Sequence, residues 1–352
     1  MALKTETAAG GLVELEVEDS RWLRFAGDAP DATPFHHPAW LRALTATYRY
    51  QGLVAAQLDE AGEVIAGVPL LRVRRPLAGT VYVSLPFADH APPLASSEQG
   101  LQKLAAGLER WRREKGNPGV EVRGEMPPSE GVVTVEAGVR HLLALEPETA
   151  ELRHLKPSVA RHVRAAQRAG VQVRFSRSLD DLATFYRFHL QTRRRLGVPV
   201  QPRRFLTAVW QHVVEPGLGF LAIAEDAGGE PLATALFLAH KRTIVYKYGA
   251  SDAARWHLKP NHLLFWRVLE WGCQEGFGVL DFGRSDAESQ GLRQFKSGWG
   301  AVEVPLRYAR MGKAGGAAGG TGRLGSAMHL VIRRSPPLVC RAFGELLYRY
   351  AA

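Results

Sequence analysis

The run Leu280-Asp281-Phe282-Gly283-Arg284-Ser285-Asp286, continued by Gly291-Leu292-Arg293-Gln294-Phe295-Lys296-Ser297-Gly298-Trp299-Gly300, decides how the rest of the chain is read. The apolar residues Phe277 to Leu280 ahead of it read as a short buried strand, after which acid, base, hydroxyl and glycine arrive together. Strand ends that open into glycine-rich polar loops are where α/β proteins place their chemistry. Upstream, Thr243-Ile244-Val245-Tyr246-Lys247-Tyr248-Gly249 is β-branched and aromatic and predicts another strand. Pro260-Asn261 predicts the start of an apolar helix carrying His262, Leu264, Trp266, Val268 and Trp271, closed by Gly276. Strand, helix, strand in that order predicts two parallel strands joined by a right-handed crossover. A crevice is expected beside their carboxyl ends, faced by the free N–H groups of the helix at Asn261, a setting that suits an anion, a carbonyl oxygen or a phosphate.

These residues carry a resemblance. Tyr246-Lys247-Tyr248-Gly249-Ala250-Ser251, then Lys259-Pro260-Asn261 with Leu264 and Trp266, then Asp281-Phe282-Gly283-Arg284, and finally Phe295-Lys296 with Trp299-Gly300 follow one another in the order and spacing of a known family. The sequence resembles the Fem-type (FemAB-like) branch of the GNAT acyltransferase superfamily, non-ribosomal peptidyltransferase relatives that use aminoacyl-tRNA or acyl donors. Weaker agreement runs through Pro34-Phe35-His36, Ala39-Trp40 and Gly67-Val68-Pro69-Leu70.

With 352 residues the chain has room for two domains of ordinary size, and 46% hydrophobic with 23% charged residues allows a full core. A formal charge of +10 points to a polyanionic partner, whether RNA, a phosphorylated carrier or an anionic membrane face, or else reflects only arginine-rich codon usage. Cys273 and Cys340 lie far apart and form neither a disulfide framework nor a metal-ligand pattern, so no metal is expected and a reducing cytoplasm fits. Residues 1–11 lack the basic start and apolar block of an export signal, and no apolar run is long enough to cross a bilayer. A cytoplasmic protein, at most peripheral to the membrane, is the expectation.

Residues 12–145 read as one α/β unit. Leu12–Val17 alternates like a strand, Pro38–Leu44 opens a helix, and Leu53–Leu58 and Val64–Leu71 form a hairpin around residues 59–63. Thr80–Leu85 follows as a strand, then a helix from Ser97 to about Lys115, and a strand at Val120–Arg123. In residues 146–311, Gly219–Ala224 and Pro231–Leu238 repeat the hairpin ahead of the strand, helix and strand already described. Each half thus has the element order of a GNAT unit, a repeat of pattern without evident identity. The expected fold is α/β, two tandem GNAT-like units with mixed central sheets, followed by a flexible linker at 312–327 and a short amphipathic tail at 328–352. That tail mixes leucine and valine with Arg333, Arg334, Arg341 and Arg349 around Pro336-Pro337, which suits either an anionic membrane surface or docking back on the domain.

Between the halves, a helix predicted from Val159 to Ala169, with Ser158 as its N-cap, places Arg161, Arg164 and Arg168 on one face and Val159, Val163 and Ala166 on the other. The basic face is either simply solvated or a phosphate-contacting surface for tRNA or a nucleotide-linked carrier. In the next helix, Asp180 to Gly197, His189 and Arg193 fall on the apolar stripe of Leu182, Phe185, Tyr186 and Leu196. A buried arginine there pairs with a carboxylate or lines a cavity. The family resemblance points one position further, to Arg194.

Acyl transfer needs an acceptor held close, somewhere for its proton to go, and positive charge or donors at the developing oxyanion. Asp281 suits a proton acceptor or acceptor-orienting carboxylate, or alternatively a cap on the Gly283 turn. Lys296 suits the oxyanion or a donor phosphate, and the resemblance implies that the lysine of this Phe-Lys pair lies near the reaction centre. Arg284 and Lys247 add positive charge, Ser251, Tyr248 and Asn261 add polar groups, and Phe295 and Trp299 would exclude water or simply fill core. No Gly-x-Ser-x-Gly, Walker A or His-Glu-x-x-His motif is present. Acetyl-CoA enzymes of the superfamily carry an Arg/Gln-x-x-Gly-x-Gly/Ala cradle, whereas Arg255–Asn261 lacks those glycines, which favours aminoacyl-tRNA or another carrier over acyl-CoA as donor. The expectation is acyl or aminoacyl transfer to an amine or hydroxyl of a peptidoglycan or exopolysaccharide precursor. Its alternatives are acetyl-CoA-dependent N- or O-acetylation in exopolysaccharide synthesis, and a catalytically silent GNAT-like binding or scaffold protein.

Overall fold

The computed structural model describes residues 11–75, 79–313 and 323–350. They divide into two compact units. Unit 1 takes residues up to Ala137 with Leu306–Ala318 and the terminal residues from Arg349, and unit 2 takes Gly138–Pro305 with Gly319–Tyr348.

Unit 1 opens with β1 (Leu12–Leu15), α1 (Ser20–Asp28) and α2 (Pro38–Tyr48). A hairpin of β2 (Gln51–Leu58) and β3 (Val64–Arg75) follows, then β4 (Gly79–Ser84), a short β5 (Leu94–Ala95), α3 (Glu98–Glu114) and β6 (Gly119–Val122). The hairpin forms because Asp59 Oδ1 accepts the N–H groups of Ala61 and Glu63, both at 2.9 Å, closing the turn with a side chain. Ser97 starts α3 by accepting the Gly100 N–H at 3.1 Å. Leu104, Leu108 and Trp111 of that helix then pack on Ala55, Val68 and Leu70 of the sheet. The sheet order is β1-β2-β3-β4-β6, with β4 and β6 parallel and their crossover made by α3.

Unit 2 repeats this plan. It contains the later part of β7 (Val132–Ala144), then α4 (Pro157–Arg168), β8 (Gln172–Ser176), α5 (Leu179–Arg195) and α6 (Arg203–Val209). β9 (Gly219–Glu225) and β10 (Pro231–His240) form the hairpin, and Asp226 Oδ1 accepts the N–H groups of Gly228 and Glu230 at 2.9 and 3.0 Å. The two hairpins therefore share one turn, Asp-x-x-Gly-Glu, at Asp59 and at Asp226. β11 (Thr243–Ser251), α7 (Pro260–Gln274), β12 (Val279–Ser285), α8 (Gln290–Ser297) and β13 (Val302–Met311) complete the plan, before α9 (Arg323–Arg334) and α10 (Pro337–Leu347). The sheet of unit 2 runs β7-β12-β11-β10-β9-β8, antiparallel except for β11 and β12. Phe237, Ile244, Leu264, Phe265, Val268, Leu280 and Phe282 form its core with the apolar face of α4.

Several expectations are revised. The last strand of the crossover begins at Val279 and continues to Ser285, so Asp281 and Gly283 lie within a strand and not in a loop after it. The strand persists because β7, which the sequence reading did not identify, supplies an antiparallel partner out to Ser285. α4 starts at Pro157 with Lys156 at its N-cap, so Ser158 is inside the helix and caps nothing. The expected division at 145/146 differs from the compact units: residues from Gly138 of β7 belong to unit 2, while β13 returns to unit 1, pairing Ala309–Met311 with Val120–Val122. Of the expected linker, residues 314–322 lie outside the described residues, and the helix after them begins at Arg323, ahead of the expected tail start at 328.

Candidate active site

The parallel ladder of β11 and β12 is short. Thr243, Ile244 and Val245 pair with Val279, Leu280 and Asp281, and there it stops. The carboxyl halves, Tyr246–Ser251 and Phe282–Ser285, run on without pairing to each other. On its other side β12 pairs with β7, but with a bulge: Phe282 and Gly283 oppose the single residue His141. Gly283 takes φ +70°, the left-handed conformation that a glycine adopts without a Cβ penalty.

That bulge is gripped from both sides of one residue. Asp281 Oδ1 accepts the Gly283 N–H at 2.8 Å, and Lys296 Nζ donates to the Gly283 carbonyl at 2.8 Å and to the Arg284 carbonyl at 3.0 Å. Asp281 Oδ2 accepts from Arg140 Nη2 at 2.9 Å and Nε at 3.2 Å. Both side chains are buried, Lys296 at 2% and Asp281 at 5% exposure. Two backbone carbonyls accept the Nζ donors that burial removes from water, and α8 provides the position by presenting Lys296 inward while Gln294 stays exposed. Beneath lies His141, fully buried, with Nε2 3.2 Å from Glu303 Oε2 but without hydrogen-bond geometry. Burial first, and then the charge of Lys296, hold its pKa below the usual value. Arg293 clamps Glu303 through two bonds of 2.8 and 2.7 Å, and this bonding lowers the glutamate's pKa.

A second cluster forms at the amino end of α7. Ser251 Oγ accepts from Trp256 Nε1 at 2.8 Å and from Asn261 Nδ2 at 3.2 Å. Lys259 turns the chain with φ +56° and Pro260 occupies the first turn of the helix. Trp256, Lys259, Pro260, Asn261, His262 and Phe295 line a cavity of about 220 Å³. Phe295 precedes Lys296, so α8 borders the cavity with one residue and the gripped bulge with the next. Behind it His262 Nε2 sits 3.2 Å from His162 Nδ1 of α4. Burial, with the neighbouring His162 and Lys259, pushes His262 down to about 4. The guanidinium of Arg195 stacks over Trp256 at 4.4 Å.

The other expected residues distribute around this centre. Tyr246 is half-buried against Phe237 and Phe265, its hydroxyl filling the space a Cβ on Gly249 would take, and burial pushes it up to about 12. Lys247 is the extra residue of a second bulge, between β10 and β11, with Nζ 5.0 Å from the Tyr248 ring centre. Tyr248 packs 5.3 Å from His189. His189 is buried, bonds Gln201 Oε1 at 2.6 Å, and is pushed down to about 3 by burial and then by Arg193. Arg193 Nε donates to the Pro199 carbonyl at 3.0 Å, where a carboxylate or a cavity was expected, and Arg194 Nε donates to the Ser335 carbonyl at 2.6 Å. Arg284 is exposed and pairs with Asp286 at 2.6 Å. Trp299 is core, with 1% exposure. Arg161, Arg164 and Arg168 are exposed on α4, opposite the residues it buries. The sequence reading missed Arg140, His141, Arg293, Glu303 and Trp256 as site residues. The first two lie on the unidentified β7, where Val139-Arg140-His141-Leu142-Leu143 alternates too little to reveal a strand. Among the described residues no group of three or more His, Cys, Asp or Glu is placed to hold a metal ion.

Residues 153–297 match the family model described as an acetyltransferase (GNAT) domain. Among solved structures the chain resembles FemX, at TM-score 0.67 and 15% identity over 84% of this chain and 96% of that one. It also resembles the C-terminal domain of a putative lysylphosphatidylglycerol synthetase from Agrobacterium fabrum, at TM-score 0.55 and 12% identity over 84% and 90%. A tandem GNAT protein from the clavulanic acid biosynthesis pathway aligns at TM-score 0.52 and 11% identity over 86% and 98%. No curated protein matches. At such identities the structural likenesses speak for the fold. The short β11–β12 ladder, the crossover helix and the family match fall on the same residues: residues 153–297 match a GNAT acetyltransferase domain, and the chain has the fold that FemX and the tandem GNAT protein share.

Proposed function

We propose that this protein transfers an acyl or aminoacyl group from a phosphate-bearing carrier to an amine or hydroxyl of a cell-envelope precursor, peptidoglycan or exopolysaccharide, on the cytoplasmic side of the membrane. The observation that carries the reading is the junction on α8, where Phe295 lines the cavity at the start of α7 and Lys296 grips the Gly283 bulge. A donor arm can lie beside the carboxyl half of β11 with its phosphate near Lys259 and the first turn of α7, bringing its acyl carbonyl to the bulge. The acceptor nitrogen or oxygen forms its bond to the acyl carbon. The bond from that carbon to the carrier's sulfur or ribose oxygen breaks, and the carrier leaves with the proton that the acceptor loses.

In this reading Lys296 supplies the fixed positive charge next to the developing oxyanion. Asp281 acts as a positioning residue, because both of its oxygens are engaged, one by Gly283 and one by Arg140. Arg161, Arg164 and Arg168 offer an exposed basic face to a long polyanionic carrier such as tRNA. The missing glycines between Arg255 and Asn261 favour such a carrier, whereas the family match to acetyltransferases favours acyl-CoA. Direct titration of the purified protein with acetyl-CoA and with aminoacyl-tRNA at two salt concentrations tests the proposal. Saturable binding of charged tRNA that weakens steeply with salt supports aminoacyl transfer, tight CoA binding moves the reading to acetylation, and binding of neither contradicts transfer altogether.

A further inference from the structure

The two last helices present a surface that acyl transfer does not use. α9 and α10 dock on unit 2 by one face: Ile332 and Cys340 are fully buried, Gly344 meets the Val200 carbonyl, and Arg194 binds the Ser335 carbonyl. The opposite face leaves Leu330 and Val331 each 47% exposed, Leu338 73%, Leu346 68% and Leu347 42%. On α10, Leu338, Arg341, Ala342 and Leu346 recur at helical spacing, so the exposed side is one continuous stripe.

Its charge is of a single sign. Arg333, Arg334 and Arg341 are exposed among these leucines, while Glu345 is the only acid in residues 323–347 and its carboxylate accepts the Arg203 N–H at 3.2 Å, turned towards α6. A second copy of this face would set arginines against arginines with no acid opposite. Nucleic acid would answer the arginines and leave the leucines in water. A bilayer surface with anionic headgroups answers both, receiving leucine side chains at the acyl boundary and guanidinium groups among the phosphates. We propose that the outer face of α9 and α10 docks on an anionic lipid bilayer. The inference rests on this surface alone and stands whether or not the acyl-transfer reading holds.

Flotation of the full chain with vesicles of phosphatidylcholine alone and of phosphatidylcholine with phosphatidylglycerol tests it. The protein is expected to float with the anionic vesicles, to be released by added salt, and to stay behind with the neutral ones. The double variant Leu338→Glu/Leu346→Glu, at positions whose exposure spares the fold, is expected to weaken binding at least about tenfold. Replacing Arg333, Arg334 or Arg341 by Gln is expected to weaken it about fivefold each, a second series that remains readable if the glutamates disturb the helices. Equal flotation with both vesicles, no flotation, or variants that float like the parent would overturn the proposal. So would a dimer, seen by sizing and dissociated by the double glutamate variant, without vesicle binding.

Discussion

The Gly283 residue is held at its N–H by Asp281 and at its C=O by Lys296, so two side chains define one backbone geometry. Arg140 completes the set as the counter-charge of Asp281, its side chain 13% exposed. Removing one member of a buried pair leaves the other charge without its partner, so Asp281→Ala is expected to cost about 3–5 kcal/mol. Urea unfolding should show this as a lower midpoint at unchanged slope, and Asp281→Asn/Arg140→Met should recover much of it. A loss within 1 kcal/mol for the single variant would contradict the pairing. Kinetics separate positioning from proton transfer. If Asp281 works through Gly283, Asp281→Asn lowers turnover but leaves the pH profile in place, whereas a proton acceptor would take a limb of the profile with it. Asp281 and Lys296 were legible in the sequence because acid, glycine and lysine gather in one stretch. Arg140 was not, since it lies 141 residues away and reaches Asp281 only through sheet pairing.

At the scale of elements, α7 and α8 line the cavity, and both β11 and α7 contain tight spots. A Cβ at Gly249 would collide with the Tyr246 hydroxyl, so Gly249→Ala must displace a ring packed on Phe237 and Phe265. The expected cost is about 1–3 kcal/mol, read from the unfolding midpoint, and an unchanged midpoint would argue against the packing described. Where α4 meets α7, burial of His262, and then the His162 beside it, makes stability depend on pH. His262 titrates near 6.5 in the unfolded chain and at about 4 in the fold, so between those values the unfolded state binds more protons. Its contribution is complete above 6.5 and is lost as pH falls towards 4, about 3 kcal/mol in all. His189, pushed down to about 3, acts in the same direction. Unfolding midpoints measured from pH 7 to 4.5 should fall less steeply in His262→Gln than in the parent; parallel curves would contradict the assignment. The crossover of β11, α7 and β12 was legible from hydrophobic periodicity and from the proline that opens α7. The length of β12 was not, because its carboxyl half is held by β7, a strand distant in sequence and weakly patterned.

Across the whole molecule, two units share hairpin, strand, helix and strand, and the Asp-x-x-Gly-Glu turn recurs at Asp59 and Asp226 without wider identity. That order was visible because hairpins and crossover helices are local patterns. Which unit the end strands belong to was not, because β7 and β13 each contain a boundary between units and only tertiary pairing assigns their halves. The C-terminal helices were legible as amphipathic, but their composition left docking and exposure open; the structure shows one face buried at Ile332 and Cys340 and the other exposed at Leu338 and Leu346. The central claim is that unit 2 performs acyl transfer at the bulge gripped by Lys296. The most direct measurement is turnover and donor affinity of Lys296→Ala beside the parent, with circular dichroism and melting temperature taken on both. The account predicts a folded variant that binds donor within a few-fold of the parent and turns over at least about a hundredfold more slowly. Parental turnover in a folded Lys296→Ala variant would contradict it.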